Sequence, residues 1–329
     1  MAAVEFRRET LEAEILDPRR GFERTRTPVE IRRDPLTGRT SRVLPAGSFP
    51  PAAPIDLADL EARSRDGCPF CPERVEEVTP RFPPEVVPAG RIRRGDALLF
   101  PNLVGYAKWS SVSIYSPYRH TIPLAGLDAE ALADNLRTQA AFLAAVAAHD
   151  PESAWLSVNA NQLPPSGSSI FHPHLQGAAN PVPTTAQRAY AGVAAETYRA
   201  YADAERTGER RLGATGPLEW FAAFAPDGQA EVVGLDFDAG FSDETAAAYA
   251  DGIARVLGLY AELGFGSFNM AIYGLPPGSG GLPQLVRLVA RSLIGPLERS
   301  DAMWSERLHD EAVVDLAPEA VAERGQARF

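Results

Sequence analysis

The order of apolar patterns along the 329 residues constrains the fold more than any other feature. Leu98-Leu99-Phe100 is a short apolar run, and Val112-Ser113-Ile114-Tyr115 alternates polar with apolar residues, which predicts a strand. Ala129–His149 is rich in Ala and Leu and holds neither glycine nor proline. With Asp128 placed to cap its start, it predicts a helix. Trp155-Leu156-Ser157-Val158 predicts another strand. A similar order then returns. Trp220–Ala225 and Ala230–Leu235 flank Pro226-Asp227-Gly228 as a hairpin, and Asp243–Leu263 predicts a second helix. Strands follow at Ser267–Tyr273 and Leu285–Arg291, separated by a turn rich in glycine and proline. Strand–strand–helix–strand thus occurs within 95–180 and again within 215–295, without a strict sequence repeat. One long helix per set of hairpin-like strands argues for an α+β fold rather than a doubly wound sheet. The 29 prolines and 27 glycines argue against a helical bundle. There is no GxGxxG and no Walker A motif.

The rest of the chain is less patterned. Residues 1–30 are charged and predict an arm or irregular lead-in. Residues 46–66, with Pro50, Pro51 and Pro54, predict loop. Ile170–Gln176 reads as short and extended, 186–210 as helical, and Met303–Ala322 as amphipathic and partly helical. A net charge of −11 argues against nucleic-acid binding through a basic face, but not against a small anionic ligand. The longest apolar stretch, Ala140–Ala148, is far short of the ~20 residues that span a bilayer. Met1–Thr10 has no signal-peptide core. The expectation is a cytoplasmic protein with no membrane contact.

The two cysteines form Cys68-Pro-Phe-Cys71, either a redox pair or half a metal site. A redox pair normally opens a helix in a βαβ unit, whereas this one sits among turns and prolines. His120 and His172, each at the end of a predicted strand, can complete a closed Cys-Cys-His-His zinc site. In Phe171-His172-Pro173-His174-Leu175-Gln176 an extended backbone points alternate residues the same way, so His172, His174 and Gln176 share a face. A metal at His172 leaves His174 free as nucleophile or general base. Gln176 can then donate to a phosphoryl oxygen. The polar run Asn159, Asn161, Gln162, Ser166, Gly167, Ser168 and Ser169 can hold an anion; its bland reading is an ordinary polar loop. Lys108, Arg119, Arg287 and Arg291 could add positive charge but are more often surface or strand-edge residues. His149 and His309 read as bystanders on helices.

These pieces, in this order, resemble the galactose-1-phosphate uridylyltransferase-like branch of the histidine-triad superfamily. Arg33-Asp34-Pro35-Leu36-Thr37-Gly38 is similar to its Arg-x-Asn-Pro-Leu-Thr-Gly opening, and Cys68-Pro-Phe-Cys71-Pro72 to its zinc motif. Ser116-Pro117 followed by His120 is similar to its Ser-Pro-x-His ligand, with one extra residue. His172-Pro173-His174-x-Gln176 is similar to its catalytic motif. The resemblance covers about 30–185 specifically and the remainder diffusely. It implies two related halves, each an antiparallel sheet with packed helices: an arm (1–30), an N-terminal half (31–185) and a C-terminal half (186–329). It implies a nucleotidyl-histidine at His174, formed from a nucleotide sugar and passed to a sugar 1-phosphate. Gln176 would hold phosphoryl oxygens and the Pro173 carbonyl would orient the His174 ring. Asn161 and Ser169, beside Ser168, fall at phosphate-contacting spacing, and Asn102 with Leu103 in the nucleotide-contacting segment. Glu306 matches a sugar-contacting glutamate, and the homodimer implied would let it complete a neighbour's site. The family's second metal strand is histidine-rich. Here it reads Leu285-Val-Arg-Leu-Val-Ala-Arg291, so one structural Zn2+ is expected and the second metal is expected to be absent. Leu175 replaces the family's usual glycine, as in phosphorylase branches, which makes a phosphorylase or hydrolase using His174 the alternative. A non-catalytic zinc-stabilised module is a third reading.

Overall fold

The structure, a computed structural model, describes residues 4–49, 57–274, 282–292 and 303–329. In chain order they form β1 (Arg7–Asp17), β2 (Glu23–Arg33), β3 (Thr40–Val43), α1 (Ala58–Arg65), α2 (Val75–Val78), β4 (Ile92–Arg94), β5 (Ala97–Pro101), β6 (Trp109–Ile114), α3 (Ala129–His149), β7 (Trp155–Gln162), β8 (His174–Asn180), α4 (Thr185–Ala191), α5 (Ala195–Arg206), β9 (Arg211–Thr215), β10 (Leu218–Ala222), β11 (Val232–Asp236), α6 (Ala246–Glu262), β12 (Ser267–Tyr273), β13 (Gln284–Arg291), α7 (Trp304–His309), β14 (Ala312–Val314) and α8 (Pro318–Gly325). The loop around Pro50, Pro51 and Pro54, and most of the turn between Tyr273 and Leu285, lie outside the described residues.

Ten strands make one antiparallel sheet in the order β4-β5-β6-β8-β7-β12-β13-β11-β10-β9. Inward from one edge the order is β4-β5-β6-β8-β7, with α3 between β6 and β7. Inward from the other it is β9-β10-β11-β13-β12, with α6 between β11 and β12. The same motif thus occurs twice, and its two copies meet within the sheet where β7 pairs with β12, Asn161 opposite Asn269. The fold is α+β with two related antiparallel halves. A smaller sheet, β1-β2-β3-β14, contains the long β1–β2 hairpin, and β14 joins it parallel to β3. Residues 7–33 are therefore a regular hairpin rather than an irregular lead-in, and 58–65 are helix rather than loop.

Both long helices lie on one face of the large sheet, in contact with each other. The Asp128 carboxylate accepts from the Ala131 amide and starts α3. Leu132, Leu136, Phe142, Leu143 and Val146 then face the core. From α6 come Tyr249, Ile253, Val256, Leu257 and Tyr260. Small residues let α3 approach: a Cβ on Gly177 would stand 2.2 Å from Gln139 Oε1 and 2.5 Å from Ser111 Oγ. Gln139 bonds Ser111 and Ser113 there, at 3.0 and 2.6 Å, satisfying polar groups that would be costly to bury alone. Among the described residues no helix is long and apolar enough to cross a membrane.

Candidate active site and metal centre

Because side chains alternate along a strand, β8 sends Leu175, Gly177 and Ala179 toward α3 and His174, Gln176 and Ala178 to the opposite face. Cross-strand partners share a face, so Val112 of β6 and Asn159 of β7 accompany Gln176. The Ala160–Leu175 pair puts Asn161 level with His174, and the β7–β12 register adds Asn269 and Ala271. Leu175 is fully buried in the helix-side core. Its difference from glycine therefore acts through packing, not on anything held beside His174.

Cys68, Cys71, His120 and His172 are buried together, and their donor atoms all lie within 4.8 Å of one another. His172 Nδ1 is 3.7 Å from Cys68 Sγ and 3.8 Å from Cys71 Sγ, and His120 Nδ1 is 3.3 Å from Cys71 Sγ. Bonds of about 2.3 Å to sulfur and 2.0 Å to nitrogen place tetrahedral ligands about 3.5 Å apart, so this cluster can hold a metal ion. The far ring nitrogens are fixed from behind. His172 Nε2 donates to the Ser116 carbonyl at 2.8 Å, and His120 Nε2 lies 3.0 Å from Ser64 Oγ. Such outer partners aim imidazoles at metals. Burial pushes His172 down to about 4 and lowers His120, keeping both rings in the neutral, ligating form. Burial, with Cys68 beside it, pushes the Cys71 thiol up to about 12, a cost that a cation would relieve. Phe171 stacks on His120, and Phe70 packs edge-on against His172 and His174.

The His174 ring is oriented by one bond. Nδ1 lies 2.8 Å from the His172 carbonyl, so Nδ1 carries the proton and Nε2 a free lone pair. The carbonyl belongs to His172, not to Pro173 as expected. Burial lowers the His174 pKa, which favours the neutral ring. Gln176 is half-buried two residues on.

The remaining expected residues divide. Asn102 continues β5 on the His174 face, its amide bonding the Ser110 carbonyl at 3.0 Å, and Leu103 beside it is exposed. Ser168 is half-buried with Oγ on the Ile170 carbonyl at 2.7 Å, and Ser169 is exposed in the same β7–β8 connection. Lys108 is not brought to His174. It precedes β6 at the end remote from the Ile114–His174 pair, and its Nζ binds Asp150 Oδ2 at 2.7 Å. Arg119 binds the Gly126 carbonyl, and Arg287 is buried against Glu231 and Asp227. Glu306 stands on α7, which packs on β14, rather than on the strands that carry His174. Sequence reading missed Ser64, which lay in a stretch read as loop, and Asn269. The one signal for Asn269 was an amide inside an otherwise apolar strand.

No family model matches the chain. An uncharacterized protein of Archaeoglobus fulgidus is 32% identical over 334 residues, covering 97% of each chain. An ADP-glucose phosphorylase of Arabidopsis thaliana, solved with bound ADP-glucose, superposes with a TM-score of 0.68. It is 19% identical, over 91% of this chain and 98% of that one. A uridylyltransferase structure has a TM-score of 0.60, also at 19% identity over 91% and 98%. The chain therefore belongs to one family with the Archaeoglobus protein, and its fold is that of the ADP-glucose phosphorylase and uridylyltransferase structures.

Proposed function

We propose that the protein is a nucleotidyltransferase that moves a nucleoside monophosphate, with UMP as the lead candidate, from a nucleotide sugar to a sugar 1-phosphate. The observation that carries this reading is the His174 ring, locked through Nδ1 with its Nε2 lone pair on a face lined by amides. Nε2 attacks the α-phosphorus. The bond from that phosphorus to the bridging oxygen breaks, and sugar 1-phosphate leaves with the electron pair. The acceptor's phosphate oxygen then attacks the same phosphorus and returns the lone pair to Nε2. Gln176 and Asn161 would donate to the phosphoryl oxygens as charge builds on them. Ser168 and Ser169 would border that group, and Asn102 with Leu103 would meet the nucleoside further along the face. The site would then take nucleotide sugars rather than nucleic acid or membrane.

The four-ligand cluster fits zinc best, with thiolates and neutral imidazoles in a closed set. Zinc would supply structure there, pinning His172 and so the carbonyl that orients His174. We also propose two halves divided near 185, in keeping with the repeated topology. A homodimer would give Glu306 a neighbour's site to complete.

A second reading takes inorganic phosphate as acceptor, supported by the neighbour named as an ADP-glucose phosphorylase. Incubation with labelled UDP-glucose or ADP-glucose, with galactose 1-phosphate, phosphate or neither, separates the two. Exchange of sugar 1-phosphate with transfer to galactose 1-phosphate is expected. Release of nucleoside diphosphate only when phosphate is present would replace the transferase reading with the phosphorylase one.

A further inference from the structure

Asn269 is the third residue of β12, between Phe268 and Met270, which are buried on the helix side. The β7–β12 register sets it opposite Asn161, on the face that carries His174. Its Nδ2 donates to Asn161 Oδ1 at 2.7 Å and to the Ser166 carbonyl at 2.8 Å. Its Oδ1 accepts from Arg291 Nη1 at 3.1 Å. A guanidinium only donates and a carbonyl only accepts, so these two partners decide which way round the Asn269 amide lies. That decides the next amide in turn. An NH2 group facing Asn161 requires the Asn161 oxygen to turn inward and sends its own NH2 outward. Asn161 Nδ2 indeed points to the β7–β8 connection, 4.0 Å from where a Cβ on Gly167 would stand. Gly167 has φ +93, a left-handed conformation that suits glycine and keeps this approach open. Asn159, two residues back on the same face, is set the other way. Its Nδ2 is taken by Ser157 Oγ at 2.9 Å and the Gln176 carbonyl at 3.3 Å. One amide of the pair therefore offers donors to the site and the other an acceptor.

We infer that Asn269, lent by the second half, is a positioning residue that holds the Asn161 N–H donors toward the anionic oxygens of the transferred phosphoryl group. This inference rests on His174 being the nucleotidyl carrier. It gives the meeting of β7 and β12 a chemical consequence, because Arg291 and Asn269 reach the site only through that pairing. Asn269→Asp keeps the shape and the Arg291 partner but replaces the donor by an acceptor. Asn161 would then turn its NH2 inward and present oxygen to phosphate.

The test is single-turnover formation of the His174 adduct from UDP-glucose, and in parallel from ADP-glucose. The chains compared are the wild type, Asn269→Asp, Asn269→Ala, Asn161→Ala and the Asn161→Ala/Asn269→Ala double variant, with thermal melting followed for each. Asn269→Asp is expected to slow adduct formation about ten- to a hundredfold, the value of a hydrogen bond to a charged group. In the Asn161→Ala background Asn269→Ala should cost no more than about twofold, because the group it positions is gone. Equal losses in both backgrounds, or Asn269→Asp at the wild-type rate, would overturn the inference while leaving the His174 reading intact. If Asn269→Asp does not fold, the alanine pair still decides. A wild-type chain that never forms the adduct overturns both.

Discussion

At the scale of single residues, the chemistry depends on which nitrogen and which amide end each side chain presents. His174 opens β8 and His172 stands two residues before it, and the His172 carbonyl fixes the tautomer of the His174 imidazole. His172 thus belongs to the four-ligand cluster through its ring and meets His174 through its carbonyl. Gln176 follows on the same face and is free of any role in the core. Gln176→Ala is expected to lower the rate of adduct formation by about a hundredfold, the typical effect of removing a donor to developing charge. The melting temperature should stay within a degree or two of the wild type, about what a small change on an open face produces. Stopped-flow or quench-flow rates alongside calorimetry would check this. Most of this local arrangement was legible in the sequence. Cys68 and Cys71 have the spacing of a thiolate pair, His120 and His172 stand at the ends of predicted strands as the histidines available to complete the set, and a period of two places His174 with Gln176. What alternation could not say was which carbonyl lies nearest the His174 ring, since a period of two orders side chains and not carbonyls.

At the scale of elements, the packing of α3 and α8 supplies two tests. Gly177 sits where α3 crosses β8, and a methyl there would meet Gln139 and Ser111 well inside contact distance. Gly177→Ala is therefore expected to destabilise the fold by about 1–3 kcal/mol, the usual cost of overpacking, read by urea unfolding. The α8 helix is pinned by Glu319, which binds Arg32 at 2.8 and 2.9 Å and Arg210 at 3.3 Å. Burial raises the Glu319 carboxyl, but the Arg32 hydrogen bonds and charge outweigh it and hold the group below its ordinary 4.5. The stabilisation from a depressed carboxyl is complete above the ordinary value and fades as pH falls through the folded one. Glu319→Gln should cost about 1–3 kcal/mol at pH 7, with the gap from wild type closing below about pH 4. Unfolding curves at both pH values would show it. The elements themselves were unequally legible. Ala129–His149 was, because a cap and an unbroken run of helix formers agree. The β1–β2 hairpin was not: its exposed strands alternate charges rather than burying one face. Short edge strands such as β4 and β9 owe their existence to the sheet beside them, which no local window contains.

At the scale of the whole molecule, the ten-stranded sheet has the two long helices on one face and the candidate chemistry on the other, where α4 and α5 cover the second half, and the two halves are joined where that chemistry lies. The repeated strand order was visible in outline. The edge-to-edge joining was not, since Asn161 and Asn269 are 108 residues apart and no pattern within either strand names the other. The four-ligand cluster lies across the first half, joining the Cys68–Cys71 turn to His120 and His172, with Ser64 of α1 on the His120 ring. Elemental analysis should find one zinc per chain and little iron. Cys68→Ser or prolonged chelation should remove the zinc and lower the melting temperature, while a chain without zinc would sink the ligand assignment. Sedimentation should report two chains of 35.4 kDa together if the proposed homodimer forms. Intact-mass and peptide mass spectrometry after incubation with UDP-glucose or ADP-glucose decides whether His174 carries the nucleotide. One added nucleoside monophosphate is expected on the peptide containing His174, discharged by an acceptor and missing in His174→Gly. Nucleotide transfer undiminished in His174→Gly, or turnover by the wild type with no adduct ever formed, would contradict it.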